Sequence, residues 1–143
     1  MLLFLGVLAH DGDALVMARL AGEPVPDLLI DACGWVAVID ARINIDLEME
    51  RTIGQANWIL PSQAKKEIDR LAKERNDLLL DLLNTRSTII EDEEGHTDDV
   101  LVRLAQRLDA PVLTVDKVLK RQLAAVGCAY LEVVRDRSLR LVD

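Results

Sequence analysis

The sequence predicts an α/β domain, a three-layer αβα sandwich around a mainly parallel sheet of about five strands. Three observations predict it. Short apolar runs of strand length alternate with amphipathic stretches of helical period, which is the pattern of a parallel sheet joined by crossover helices. The run Leu28-Leu29-Ile30 is apolar without alternation. It stands between a Pro-rich segment (Pro24, Pro26) and Asp31-Ala32-Cys33-Gly34, so it reads as a strand buried on both faces. Finally, half of the 143 residues are hydrophobic but only 3% are aromatic, as in an aliphatic core, and the length suits one domain.

Residues 1–26 read as a leader and 27–143 as the folded domain. In the leader, a strand over Leu2–Leu8 turns at Asp11-Gly12 into a short helix, Ala14–Leu20, which Gly22 and Pro24 end. After the first core strand, Asn44–Ile53 is helical, with Ile45, Met49 and Ile53 on one side. Asn57-Trp58-Ile59-Leu60 forms a second strand stopped by Pro61. Ser62 caps a helix whose inner face is Ala64, Ile68, Leu71 and Ala72, and Leu78–Leu83 continues as a further helix. Ser87–Ile90 is the third strand and leads into the acidic loop Glu91-Asp92-Glu93-Glu94-Gly95. Thr97 caps the next helix, with Leu101, Leu104, Ala105 and Leu108 as its buried stripe, and Ala110-Pro111 breaks it. Val112–Val115 is the fourth strand. Asp116 opens a helix through Val126 that turns Val118, Leu119 and Leu123 inward and ends at Gly127. Tyr130–Val134 is the fifth strand, and Arg135-Asp136-Arg137-Ser138 turns into a last short strand, Leu139–Val142.

The net charge of −8 argues against a protein that coats nucleic acid non-specifically, because such binding needs a strong positive field. Met1–Ala9 is apolar, but it is too short to span a bilayer and lacks the positive flank of a signal peptide. Cys33 and Cys128 have no metal spacing and read as reduced, buried thiols. The expectation is a cytoplasmic protein without a membrane partner. Its apolar leader packs on the domain, over a sheet edge, or on a dimer partner, and a homodimer is the expectation.

Four acids stand at element ends. Asp31 closes the first strand, Glu67 lies at the rim of a buried helix face, Asp98 is in the first turn of its helix, and Asp116 follows the fourth strand. Each has an ordinary explanation as a cap, a dipole partner or a solvated charge. At one edge of a parallel sheet, however, such acids raise one another's pKa values unless a cation neutralises them. Hard carboxylate oxygens suit Mg²⁺ or Mn²⁺. No Ser-His-Asp or Cys-His arrangement competes with them, and His10 and His96 stand alone in the sequence.

The segments Leu29-Ile30-Asp31-Ala32-Cys33, Leu60-Pro61-Ser62 with Lys66-Glu67-Ile68, Thr97-Asp98-Asp99 and Leu113-Thr114-Val115-Asp116 together resemble the PIN-domain nucleases, in order from about Leu28 to the C-terminus. The resemblance implies that Asp31, Glu67, Asp98 and Asp116 are the catalytic, metal-binding acids, with Asp99 beside them and Thr114 positioning the last one. It implies Mg²⁺ or Mn²⁺ as cofactor, RNA as substrate, and hydrolysis of a phosphodiester by a metal-activated water. It also implies either a ribosomal-RNA-processing role, with a ribosome-assembly partner, or a VapC-like one, with an antitoxin partner. Two positions depart from the family pattern. Cys33 stands where many members carry Asn or Ser, and Val115 where Asn is common, and each change removes a polar group near the acids. Lys117, Lys120 and Arg121 open the helix after Asp116, and Lys117 and Arg121 are the best placed to meet phosphate.

Two other readings compete. A signalling receiver domain is also α/β with an acid pocket, but it needs a Lys after the fifth strand, where this chain has Arg135. A PIN-like module that binds RNA or protein with weak or absent catalysis is the nearer alternative.

Overall fold

The computed structural model describes residues 25–91, 94–135 and 137–143. The expected leader strand and helix, and its docking or dimer role, lie outside the described residues. Among the described residues six strands form one sheet: β1 (Asp27–Ile30), β2 (Asn57–Pro61), β3 (Ser87–Ile90), β4 (Val112–Leu113), β5 (Tyr130–Val134) and β6 (Ser138–Val142), in the order β3-β2-β1-β4-β5-β6. All neighbours are parallel except β5 and β6, which form an antiparallel hairpin. The sixth strand therefore adds an antiparallel edge to the predicted sheet.

The helices are α1 (Ala32–Asp40), α2 (Ile45–Thr52), α3 (Ser62–Arg75), α4 (Leu78–Arg86), α5 (Thr97–Leu108) and α6 (Lys117–Ala125). β1 is buried on both faces, as its unbroken apolar run requires. Leu28 and Ile30 enter a core with residues of α1, α2, α3 and α4, while Leu29 enters a second core with α5 and α6. That division makes the three layers.

Residues 32–40, which carry no element in the sequence reading, form α1. Trp35 therefore sits on a helix rather than in or beside a strand. Its ring packs edge-on against Trp58 at 5.6 Å, and its indole N–H donates to the Leu80 carbonyl at 3.2 Å. Gly34 lets the first turn of α1 lie directly on the sheet, since a Cβ there would stand 2.4 Å from the Leu113 carbonyl oxygen. Smaller corrections concern the caps. Pro61 and His96 occupy the N-cap positions assigned to Ser62 and Thr97, which begin their helices instead. Val118 is 55% exposed rather than turned inward, because α6 buries only Leu119 and Leu123 deeply.

Chain order sets the location of any site. From β1 the sheet grows outward through β2 to β3, then the chain returns to the other side of β1 with β4. The carboxyl ends of β1 and β4 thus flank the point where strand order reverses, the crevice at which open α/β sheets place their ligands. Among the described residues β6 is the outer strand on this side, and side chains of α2 meet its backbone at Leu139. Glu48 accepts from the Leu139 amide at 2.8 Å, and the Arg51 guanidinium donates to the Leu139 carbonyl.

Candidate metal centre

β1 delivers Asp31 to this crevice, where it occupies the N-cap position of α1 without capping it through its side chain. Its carboxylate is buried. Two donors converge on Oδ2: the Thr114 hydroxyl at 2.8 Å and the Cys33 thiol at 2.9 Å. Thr114 is wholly buried just beyond β4, and its Oγ1 in turn accepts the Asp116 amide at 3.1 Å. One hydroxyl therefore ties the end of β1 to the start of α6. Cys33 does not remove a polar group from this place, as the sequence reading held, because its S–H supplies one. Burial first, then the charge of Asp31, pushes the thiol pKa to about 11, so it serves as a donor and not as a thiolate.

Asp116 caps α6, accepting the amides of Val118 at 2.8 Å and Leu119 at 3.2 Å on Oδ1. Asp98 is half-buried in the first turn of α5, whose apolar stripe (Val100, Leu101, Leu104, Ala105) faces the sheet and so fixes the helix start at the crevice. Asp99 and Glu67 are exposed, on α5 and α3. Lys117 and Arg121 are exposed on α6.

These acids reach one another electrostatically. Burial raises the pKa of Asp31 above the usual carboxylate range, the charge of Asp116 adds to it, and the bonds from Cys33, Thr114 and the Ala32 amide only partly offset this. Asp98 is raised by burial, then by the charges of Asp116, Asp31, Asp99 and Glu67. Among the described residues, the side chains that act on the two are carboxylates, a thiol and a hydroxyl. Repulsion left in place at the crevice is what a divalent cation relieves, and all-oxygen carboxylates suit a hard one. Among the described residues, however, no group of three His, Cys, Asp or Glu side chains is drawn together tightly enough to hold an ion directly. The arrangement fits an ion that keeps most of its water and takes one or two carboxylates, as Mg²⁺ does.

A further acid, Glu132, belongs to this rim and was not singled out from the sequence. Ile30 is level with Leu113, and Leu113 with Leu131, so the next residues Asp31, Thr114 and Glu132 form a row across β1, β4 and β5. Leu113 and Leu131 point into the α1–α4 core, so Thr114 and Glu132 point to the opposite face, towards α5 and α6. The available signal was a charged residue in the middle of the strand run Tyr-Leu-Glu-Val-Val.

The family model of a PIN-like domain matches residues 28–137. The solved structure of the PIN domain endonuclease Utp24 superposes with a TM-score of 0.68 over 80% of this chain and 90% of that one, at 17% identity, a likeness of fold. No curated protein gives a significant match. A family match over residues 28–137, most of the chain, with a sheet that superposes on that of a PIN domain, makes this chain a member of the PIN-like domain family.

Proposed function

We propose that the chain is a metal-dependent endoribonuclease that hydrolyses RNA phosphodiester bonds at the crevice of Asp31, Asp98 and Asp116, with Glu67 and Asp99 at its rim. The observation that carries this reading is the mutual repulsion of buried and half-buried carboxylates. Mg²⁺ or Mn²⁺, when bound, supplies Lewis acidity at the phosphoryl oxygens and a water of lowered pKa. The residues themselves hold and orient. Thr114 and Cys33 fix Asp31, and the Asp116 amide fixes Thr114, so the strand-end carboxylates stay in register on a rigid sheet edge. Compartment and assembly follow the same reading: a cytoplasmic enzyme, dimeric through the leader, which meets an antitoxin or a ribosome-assembly partner. No helix among the described residues is long and apolar enough to cross a membrane.

The loose spacing of the acids favours one alternative, a PIN-like module that binds RNA or protein with little or no catalysis. One experiment decides between them. End-labelled RNA is incubated with Mn²⁺ and the protein, and with an Asp31→Asn, Asp98→Asn variant. Internal cleavage by the wild type alone supports the nuclease, whereas identical traces leave the binding module.

A further inference from the structure

Beyond Asp31 and the Thr114 hydroxyl that donates to it, the row along the sheet rim ends in a cluster of opposite character. Glu132 is nearly buried, with its side chain 10% exposed, yet it carries two cations. Lys120 of α6 donates to Oε2 at 2.6 Å, and Arg140 of β6 donates to Oε1 through Nε at 2.9 Å and through Nη2. Arg140 is the direct cross-strand partner of Glu132, so it lies on the same face.

Two positive charges on one negative leave a net charge of +1 in a chain of net −8. Arg140 keeps 65% of its side chain exposed, and its bonds to Glu132 run through Nε and Nη2. Lys120 is steadied from a second side by the Tyr130 ring, 5.6 Å away. Arg140 also lines an open groove of about 610 Å³ along β6, which Arg51 and Arg135 line as well. Two strand spacings, about 10 Å, separate β5 from β1 and hence this cluster from Asp31.

We propose that Lys120 and Arg140, held in place by Glu132, form a shelf that seats a phosphate of single-stranded RNA beside the acid crevice, and that the groove of Arg51 and Arg135 extends its path. The proposal rests on the nuclease reading for the position of the cut strand, but the shelf itself is a binding element. Glu132 acts as a positioning residue. It preorganises the guanidinium and ammonium so that less side-chain freedom is lost when a phosphate arrives. A guanidinium fork matches phosphate oxygens, and backbone contacts of this kind hold a strand without reading its bases. That suits a protein with few aromatics to stack on.

The test measures anisotropy of a labelled single-stranded RNA of about 12 nucleotides without divalent ions, from roughly 50 to 200 mM salt. Removing one phosphate contact is expected to lower the slope of log affinity against log salt by about 0.7, so Arg140→Ala shows that loss and Lys120→Ala with Arg140→Ala about twice it. Arg140→Lys keeps the slope but binds a few-fold more weakly, because charge persists without the fork. Lys73→Ala, a control on the exposed part of α3, changes nothing. In cleavage assays the same shelf variants raise KM roughly 3- to 10-fold with kcat within about twofold. In the Arg140 variant Lys120 still pairs with Glu132, and circular dichroism of each variant checks that the fold is kept. Wild-type slope and KM in both shelf variants, or no RNA binding by the wild type, overturns the shelf. If those variants lose only thermal stability, Glu132 is a brace and the nuclease reading stands. If binding depends on Arg140 but no Mn²⁺-dependent cleavage occurs, the shelf stands and the nuclease reading falls.

Discussion

The two ends of the polar row at the sheet rim bury the same chemical group and treat it in opposite ways. At one end Asp31 is held by neutral donors, a thiol and a hydroxyl, and is flanked by further carboxylates. At the other Glu132 receives Lys120 and Arg140. Burial pushes both carboxyls up. Only at Glu132 do the cationic partners outweigh it and leave the carboxyl below its ordinary range. The Glu132 end is electrostatically complete within the chain. The Asp31 end is not, and that unrelieved repulsion is the feature on which the proposed metal-dependent reading rests.

Removing carboxylates from the incomplete end gives the largest expected effect. On the proposed reading, Asp31→Asn or Asp98→Asn is expected to cut Mn²⁺-dependent RNA cleavage on the order of 100-fold or more, since each would remove charge that holds the ion. The same changes relieve repulsion, so the melting temperature without metal holds or rises. Parallel cleavage and calorimetry check this, and a variant that loses activity only because it unfolds breaks the comparison.

The acid end also depends on a close approach that the cationic end lacks. Gly34→Ala would place a Cβ 2.4 Å from the Leu113 carbonyl oxygen, which is backbone and cannot swing aside. Separating α1 from β4 is expected to cost about 2 kcal/mol, read as a lower urea midpoint, and to loosen the Asp31–Thr114 bond. Arg140→Ala, on an exposed side chain, is expected to cost less than about 1 kcal/mol. Equal losses at the two positions would mean that the crevice is not tightly built.

The opposite pKa shifts predict opposite limbs in a stability-against-pH profile. Glu132, depressed in the fold, contributes stability that is present above its ordinary value and lost as pH falls through the depressed one. Asp31 and Asp98, raised in the fold, keep protons that the unfolded chain has already released. The fold therefore loses stability as pH rises from the ordinary Asp value through theirs. Melting curves across the acid range are expected to show the lower limb flattened in Glu132→Gln and the upper limb flattened in Asp31→Asn, Asp98→Asn. Mn²⁺, which prefers ionised carboxylates, flattens the upper limb of the wild type too. Limbs that do not respond to these changes place the titration elsewhere.

How much of this was legible in the sequence divides along the same row. The end of β1 at Asp31 was legible because an apolar run stopping on an acid is a local signal, and α5 was legible because its stripe has helical period, whereas β4 stops at Leu113, two residues short of the expected Val115, and leaves Asp116 as a helix cap. α1 was not. Ala-Cys-Gly-Trp-Val-Ala-Val-Ile-Asp is apolar nearly all round, lies against the sheet and the other helices, and so shows no face to read. Glu132 was missed because its meaning depends on partners 12 and 8 residues away, which the α6 crossover and the β5–β6 hairpin register bring to it. The role of Cys33 was misread because residue type alone suggested a lost polar group, whereas its rotamer and burial make the thiol a donor.

That thiol sets the smallest and sharpest comparison. A thiol is a weak donor, so Cys33→Ala removes little bond energy, but Asp31 is then left to the Thr114 hydroxyl and the Ala32 amide. Stability is expected to fall by less than about 1 kcal/mol, while Mn²⁺ affinity falls a few-fold, because the carboxylate gains freedom that binding must remove. Cys33→Ser restores a stronger donor of similar size, and metal affinity is expected to return to the wild-type value or above it. Isothermal titration of Mn²⁺ into the three proteins, with Thr114→Val as the larger perturbation of the same clamp, separates orientation from packing. If alanine and serine give the same affinity, the thiol fills space beside Asp31 and does not hold it.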